Sequence, residues 1–159
     1  MAQPIIRPAE RRDAPRLGQL AGELVRQHHR TDPDRFLMVD DVERGYAAWL
    51  QRESERRGAV VLVAEQDGAV VGYAYGTING RDWARLLDDH GEVQDLFVDP
   101  TARRTGVGRA LLDALVQRLE ADGARRVVLM TMTDNHDAQR VFAAAGFRST
   151  MVEMTRSRG

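Results

Sequence analysis

The chain has 159 residues, 23 basic and 24 acidic, with a formal net charge of −1 and no cysteine. That length suits one domain, residues 1–159, with a core of its own. Balanced charge gives no field drawing it to nucleic acid or an anionic membrane, and the missing cysteine excludes disulfides, thiolate metal sites and a cysteine-bound acyl intermediate.

The first ten residues, MAQPIIRPAE, lack a charged region followed by an apolar one, so no signal peptide is expected. The longest aliphatic run, 59–64, is too short to span a bilayer. A cytoplasmic protein is therefore expected.

Residues 4–9 read as a short first strand. Asp13 is a good N-cap with Pro15 behind it. Leu17, Leu20, Leu24 and Val25 recur at helical spacing and predict a helix to about Gln27. HHRTDPDRF (28–36) reads as a polar loop, and a second helix is predicted over about 41–56. Two β-branched runs flank Asp67-Gly68 within 60–78, a strong hairpin signal. Residues 79–91 are a polar connection with a helical turn near Trp83–Leu87.

EVQDLFV (92–98) is the next strand, ended by Pro100. A helix follows from Gly106 or Gly108 to Asp122, and Gly123 stops it. RRVVLMTM (125–132) is a nearly continuous apolar strand, as expected when both faces are covered. Asn135 caps a helix ending at Gly146, and FRSTMVEM (147–154) reads as a last strand. The order β-α-α-β-β-β-α-β-α-β predicts an α/β domain with a mixed sheet. Its strand–helix–strand unit over 92–132 implies parallel pairing, and ligands of such sheets sit at the carboxyl ends of strands.

At that end lies Arg103-Arg104-Thr105-Gly106-Val107-Gly108. Free N–H groups and the dipole of a helix N-terminus favour a phosphate, and glycine lets the backbone approach. A plain strand-to-helix turn containing glycines is the alternative. A P-loop needs a lysine, and this chain has none. A dinucleotide fingerprint needs a third glycine, where Leu111 stands.

Arg103-x-x-Gly106-x-Gly108 instead resembles the [QR]-x-x-G-x-[GA] signature of the GNAT superfamily of acyl-CoA N-acyltransferases. LFVDPTARRTGVGRALLDAL and VLMTMTDNHDAQRVFAAAGF are similar to that family's successive segments, and the order of elements matches. The resemblance covers nearly the whole chain. It implies the GNAT fold: a central, mostly antiparallel mixed sheet with helices on both faces and a βαβ cofactor-binding unit.

The resemblance also implies roles. Backbone N–H groups from Arg104 to Arg109, through Thr105, Gly106, Val107 and Gly108, would bind the pyrophosphate of coenzyme A, with charge from Arg103, Arg104 and Arg109. Leu96, Phe97 and Val98 would pair with the pantetheine arm. Asn135 would contact the same arm and cap its helix. Phe142 stands where many members carry a tyrosine that protonates the departing sulfur, so that acid is unassigned; Tyr73 and Tyr75 are possible substitutes. Glu92 is the expected base and Asp95 a second carboxylate. Strand alternation puts these two on opposite faces unless a bulge intervenes. His29, Phe36 and Tyr75 are the expected acceptor contacts, and adjacent His28 and His29 without further ligands do not compose a metal site. The expected reaction moves an acetyl group from acetyl-CoA to a primary amine of a small molecule or peptide by direct attack. A non-catalytic acyl-CoA-binding module is the alternative, favoured by Phe142. Homodimer formation through the last strand is expected by analogy.

Overall fold

The computed structural model describes residues 2–159. Five strands form one sheet in the order β1-β2-β3-β4-β5. They are β1 (Ile5–Pro8), β2 (Ala59–Gln66), β3 (Ala69–Asn79), β4 (His90–Val98) and β5 (Val127–Leu129). The first three pairings, β1 with β2, β2 with β3 and β3 with β4, are antiparallel, and β4 with β5 is parallel. The hairpin turns at Asp67-Gly68, both at positive φ (52° and 79°), as an Asp-Gly turn requires.

Helices α1 (Ala14–Thr31) and α2 (Val42–Glu55) cover one face. Leu17, Leu20, Ala21 and Leu50 pack there on Val61, Val63, Tyr73, Tyr75 and Phe97. Helix α3 (Val107–Ala121) covers the other, burying Leu111, Leu112, Leu115 and Leu119 against Val60, Leu62, Ala74 and Val93. Helix α4 (His136–Ala144) adds Val141 and Phe142 to that side. The helix spacings seen in the sequence are thus the faces that are buried.

Four expectations change. Helix α1 runs to Thr31, so His28 and His29 are helical. Leu24 and His28 lie four residues apart, which continues the inward stripe. Asp13 precedes α1, but its carboxylate takes Arg7 Nη1 and Nη2 at 2.7 and 3.0 Å and the Glu10 N–H at 2.8 Å, and caps nothing in α1. The segment near Trp83 is a turn closed by an Asp82–Leu87 bridge, its two N–H···O bonds at 2.7 and 3.0 Å.

The fourth concerns the carboxyl end. Strand β5 pairs over three residues only and is half-exposed rather than covered on both faces. Residues 147–154 form no strand. Beyond Phe147, whose N–H reaches Phe142 O, they make no backbone hydrogen bond among the described residues. Strand-forming side chains do not suffice where no neighbouring edge satisfies the backbone.

Candidate active site

Strand β4 carries one extra residue. Tyr75 faces Asp95 and Gly76 faces Val93, so Gln94 is a β-bulge. The bulge turns both Glu92 and Asp95 to the α1/α2 face, since each is opposite a β3 residue of that face, Thr77 and Tyr75. It also ends the pairing with β5, whose last partners are Val93 and Leu129. Beyond them β4 continues to Val98 while β5 stops, and the two backbones part.

A cleft opens where they part. Its walls include Asp95, Leu96, Leu24, His28, Asn135 and Phe142. Asn135 Oδ1 accepts the Ala138 N–H at 3.2 Å, so the same residue caps α4 and lines the cleft. Phe142 lies against Phe147 with ring centroids 6.2 Å apart. Phe97 points away from the cleft into the core beneath α1, and Val98 packs toward α3.

The glycine loop follows directly. Gly106, at φ 86°, is the N-cap of α3, a backbone shape that a Cβ would strain. Arg104, at φ 63°, makes the other left-handed turn. Among the described residues, the N–H groups of Arg104, Thr105, Gly106, Val107, Gly108 and Arg109 have no hydrogen-bond partner; the first bond in α3 is Ala110 N–H to Gly106 O at 3.0 Å. Six such donors at one helix end are suited to an anion. Of the three arginines, Arg103 donates to Val98 O (3.0 Å) and lies over the Phe97 ring (5.2 Å). Arg109 binds Asp113, whereas Arg103 and Arg104 make no ion pair among the described residues. Thr105 turns its hydroxyl inward to Ala102 O at 2.6 Å.

The two carboxylates differ in setting. Glu92 is buried away from the cleft, where Arg85 (3.3 Å) and Asn79 (3.5 Å) donate to it. Asp95 lines the cleft and accepts the Tyr73 hydroxyl at 2.9 Å. Burial pushes the Asp95 carboxyl above its usual range, against the opposing pull of Tyr73, His28 and Tyr46. The structure therefore brings Asp95, not Glu92, to the cleft.

The expected acceptor contacts are not brought there. His29 Nδ1 bonds Phe36 O at 2.8 Å and ties down the loop after α1. Phe36 stacks edge-on against His28 at 4.9 Å. Tyr75 is buried under Trp49 and donates its hydroxyl to Glu53. His28, one position from the expected His29, is the histidine that lines the cleft. The Leu24–His28 spacing carries the signal, and it counts only because α1 extends past Gln27 to Thr31.

Residues 23–147 match the model of the acetyltransferase (GNAT) family. The chain belongs to that family. Among curated proteins it is 36% identical over 97 residues to a mycothiol acetyltransferase of Sanguibacter keddieii, covering 61% of this chain but only 30% of that protein. It is 30% identical over 106 residues to the uncharacterized N-acetyltransferase YhfO of Bacillus subtilis, covering 65% and 68% of the two chains. Among solved structures, BH1408 of Bacillus halodurans (F44R mutant) superposes with a TM-score of 0.83 at 20% identity, over 97% and 99% of the two chains. The aminoglycoside N-acetyltransferase AAC(6')-Iy in complex with CoA gives a TM-score of 0.75 at 23% identity, over 100% and 97%. No helix is long and apolar enough to cross a membrane among the described residues.

Proposed function

We propose that this chain is an acetyl-CoA-dependent N-acetyltransferase acting on a primary amine of a small molecule or peptide. The observation that carries the reading is the cleft between β4 and β5, with Asp95 on its wall and six unpartnered N–H groups at the end of the same strand. The family uses acetyl-CoA, and a structural neighbour was solved with CoA. The loop suits the pyrophosphate of that donor, with Arg104 adding charge. The edge of Leu96 to Val98 that faces away from β3, which no strand pairs, suits its amide-bearing arm.

Acyl transfer to nitrogen needs a free lone pair on the amine, a stabilised carbonyl oxygen and a departing thiolate. Asp95 accepts the ammonium proton, and its raised pKa suits that task. A backbone N–H on the parted stretch of β4 polarises the thioester carbonyl. Phe142 has no proton to give, and the hydroxyls of Tyr73 and Tyr75 are engaged with Asp95 and Glu53. The thiolate leaves unprotonated, which its ordinary pKa near ~8.5 permits. The amine attacks directly, because the chain has no cysteine to carry the acetyl group.

We place the enzyme in the cytoplasm, whose reducing conditions a chain without cysteine fits. We also infer a homodimer in which residues 147–154 cover a second copy. Met151, Val152 and Met154 are 83%, 78% and 91% exposed, a sequence of apolar side chains that a partner would bury. A monomer mass by sedimentation would overturn the dimer. The function is tested by measuring thiol release from acetyl-CoA across a panel of amines, with CoA binding measured in parallel. Turnover with at least one amine is expected; binding without any turnover would make the chain an acyl-CoA-binding module.

A further inference from the structure

Tyr73, on β3, is fully buried, and its hydroxyl donates to Asp95 Oδ2 at 2.9 Å. A buried hydroxyl needs one acceptor, and a backbone carbonyl would serve. Here the hydroxyl is spent on the one side chain that the Gln94 bulge brings to the cleft.

We propose that Tyr73 is a positioning residue that holds the Asp95 carboxylate in one orientation and stabilises its charge for proton transfer. The proposal rests on the reading of Asp95 as the base. The Tyr73 hydroxyl can only donate to an ionised Asp95, so it favours the charged form. Burial opposes it and pushes the carboxyl up. Burial likewise pushes Tyr73 well above its usual range, so it does not ionise first. Tyr46 faces the same point from α2, and burial pushes it up as well. The other groups facing this point are few. His28 faces it from α1. Tyr75 stands opposite it on β3, with its hydroxyl on Glu53 of α2. From the β5 and α4 side, no titratable side chain lines the cleft among the described residues.

The test removes that hydroxyl, as Tyr73→Phe, and follows Asp95 in two ways. Carboxyl carbon NMR of the whole chain, with the signal assigned by its loss in Asp95→Asn, reads the ionisation midpoint without any substrate. The pH profile of thiol release reads the same group in catalysis. A charge-assisted hydrogen bond lost here raises the acid constant's midpoint by about one pH unit, about tenfold. The acid limb of the rate profile should move up equally, with the rate recovered at higher pH. If Tyr73→Phe leaves the NMR midpoint where it was, the positioning role is overturned while Asp95 as base stands. If the NMR midpoint moves and the rate profile does not, Asp95 is not the base, and the role falls with it.

Discussion

Gly108 offers a substitution whose effects on folding and on binding have opposite signs. It sits in the first turn of α3, and a Cβ placed there meets only Val98 Cγ2, at 3.6 Å. That is an ordinary contact, so the folded chain has room for a methyl group. Replacing glycine by alanine in a helix gains up to about 1 kcal/mol, and Gly108→Ala should hold or raise Tm. Gly108→Trp, in that first turn, should lay a ring across the N–H groups of Val107 to Arg109, and its Tm shows whether the fold is kept. Hydrogen bonds to a charged group contribute about 1.5–3 kcal/mol each. Losing two amounts to about 3–6 kcal/mol, or a Kd for CoA raised about 10²- to 10⁴-fold. Calorimetric titration with CoA reads the affinity, and thermal melting reads the fold. A Gly108→Trp protein of unchanged Tm that binds CoA within threefold of the wild type would refute the assignment of this loop to the pyrophosphate.

Other outcomes follow from the same geometry. Asp95→Asn should lower kcat by about 10²- to 10⁴-fold, the contribution of a positioned base. Because the base works only when ionised, the wild-type rate should be present above and lost below a midpoint higher than the ordinary aspartate value of about 3.9. Asp13→Ala should destabilise the chain by about 3 kcal/mol in urea unfolding, the low end for breaking a buried pair, since Arg7 keeps Glu65 at 3.0 Å. Arg7 holds the Asp13 carboxyl below its usual range, so its contribution is present above the unfolded value and is lost as pH falls through the folded one. The Asp99 carboxyl, which Thr101 and Arg16 hold at about 2, adds a loss in the same direction. Gly18→Ala should cost about 1–3 kcal/mol. Its Cβ would stand 2.3 Å from Glu43 O and 2.9 Å from Ala47 Cβ, so α1 and α2 must move apart; melting temperature reads this.

Sequence by itself determined much of this protein. The spacing of Leu111, Leu115 and Leu119 specifies the buried face of α3, because a helix repeats every 3.6 residues. Asp67-Gly68 specifies the hairpin, because both residues must take positive φ. Arg103, Gly106 and Gly108 mark the glycine loop before α3, because its shape depends on residues adjacent in the chain. Tertiary structure alone decided the rest. Whether Asp95 or Glu92 reaches the cleft depends on a one-residue bulge at Gln94, and a shift of one residue turns a strand's side chains over. Which histidine lines the cleft depends on four more residues of α1, whose end is set by packing rather than by its own propensity. Whether FRSTMVEM forms a strand depends on a neighbouring edge to bond, which no property of those eight residues can supply. Local periodicity is written in the chain; register and partner belong to contacts between distant segments.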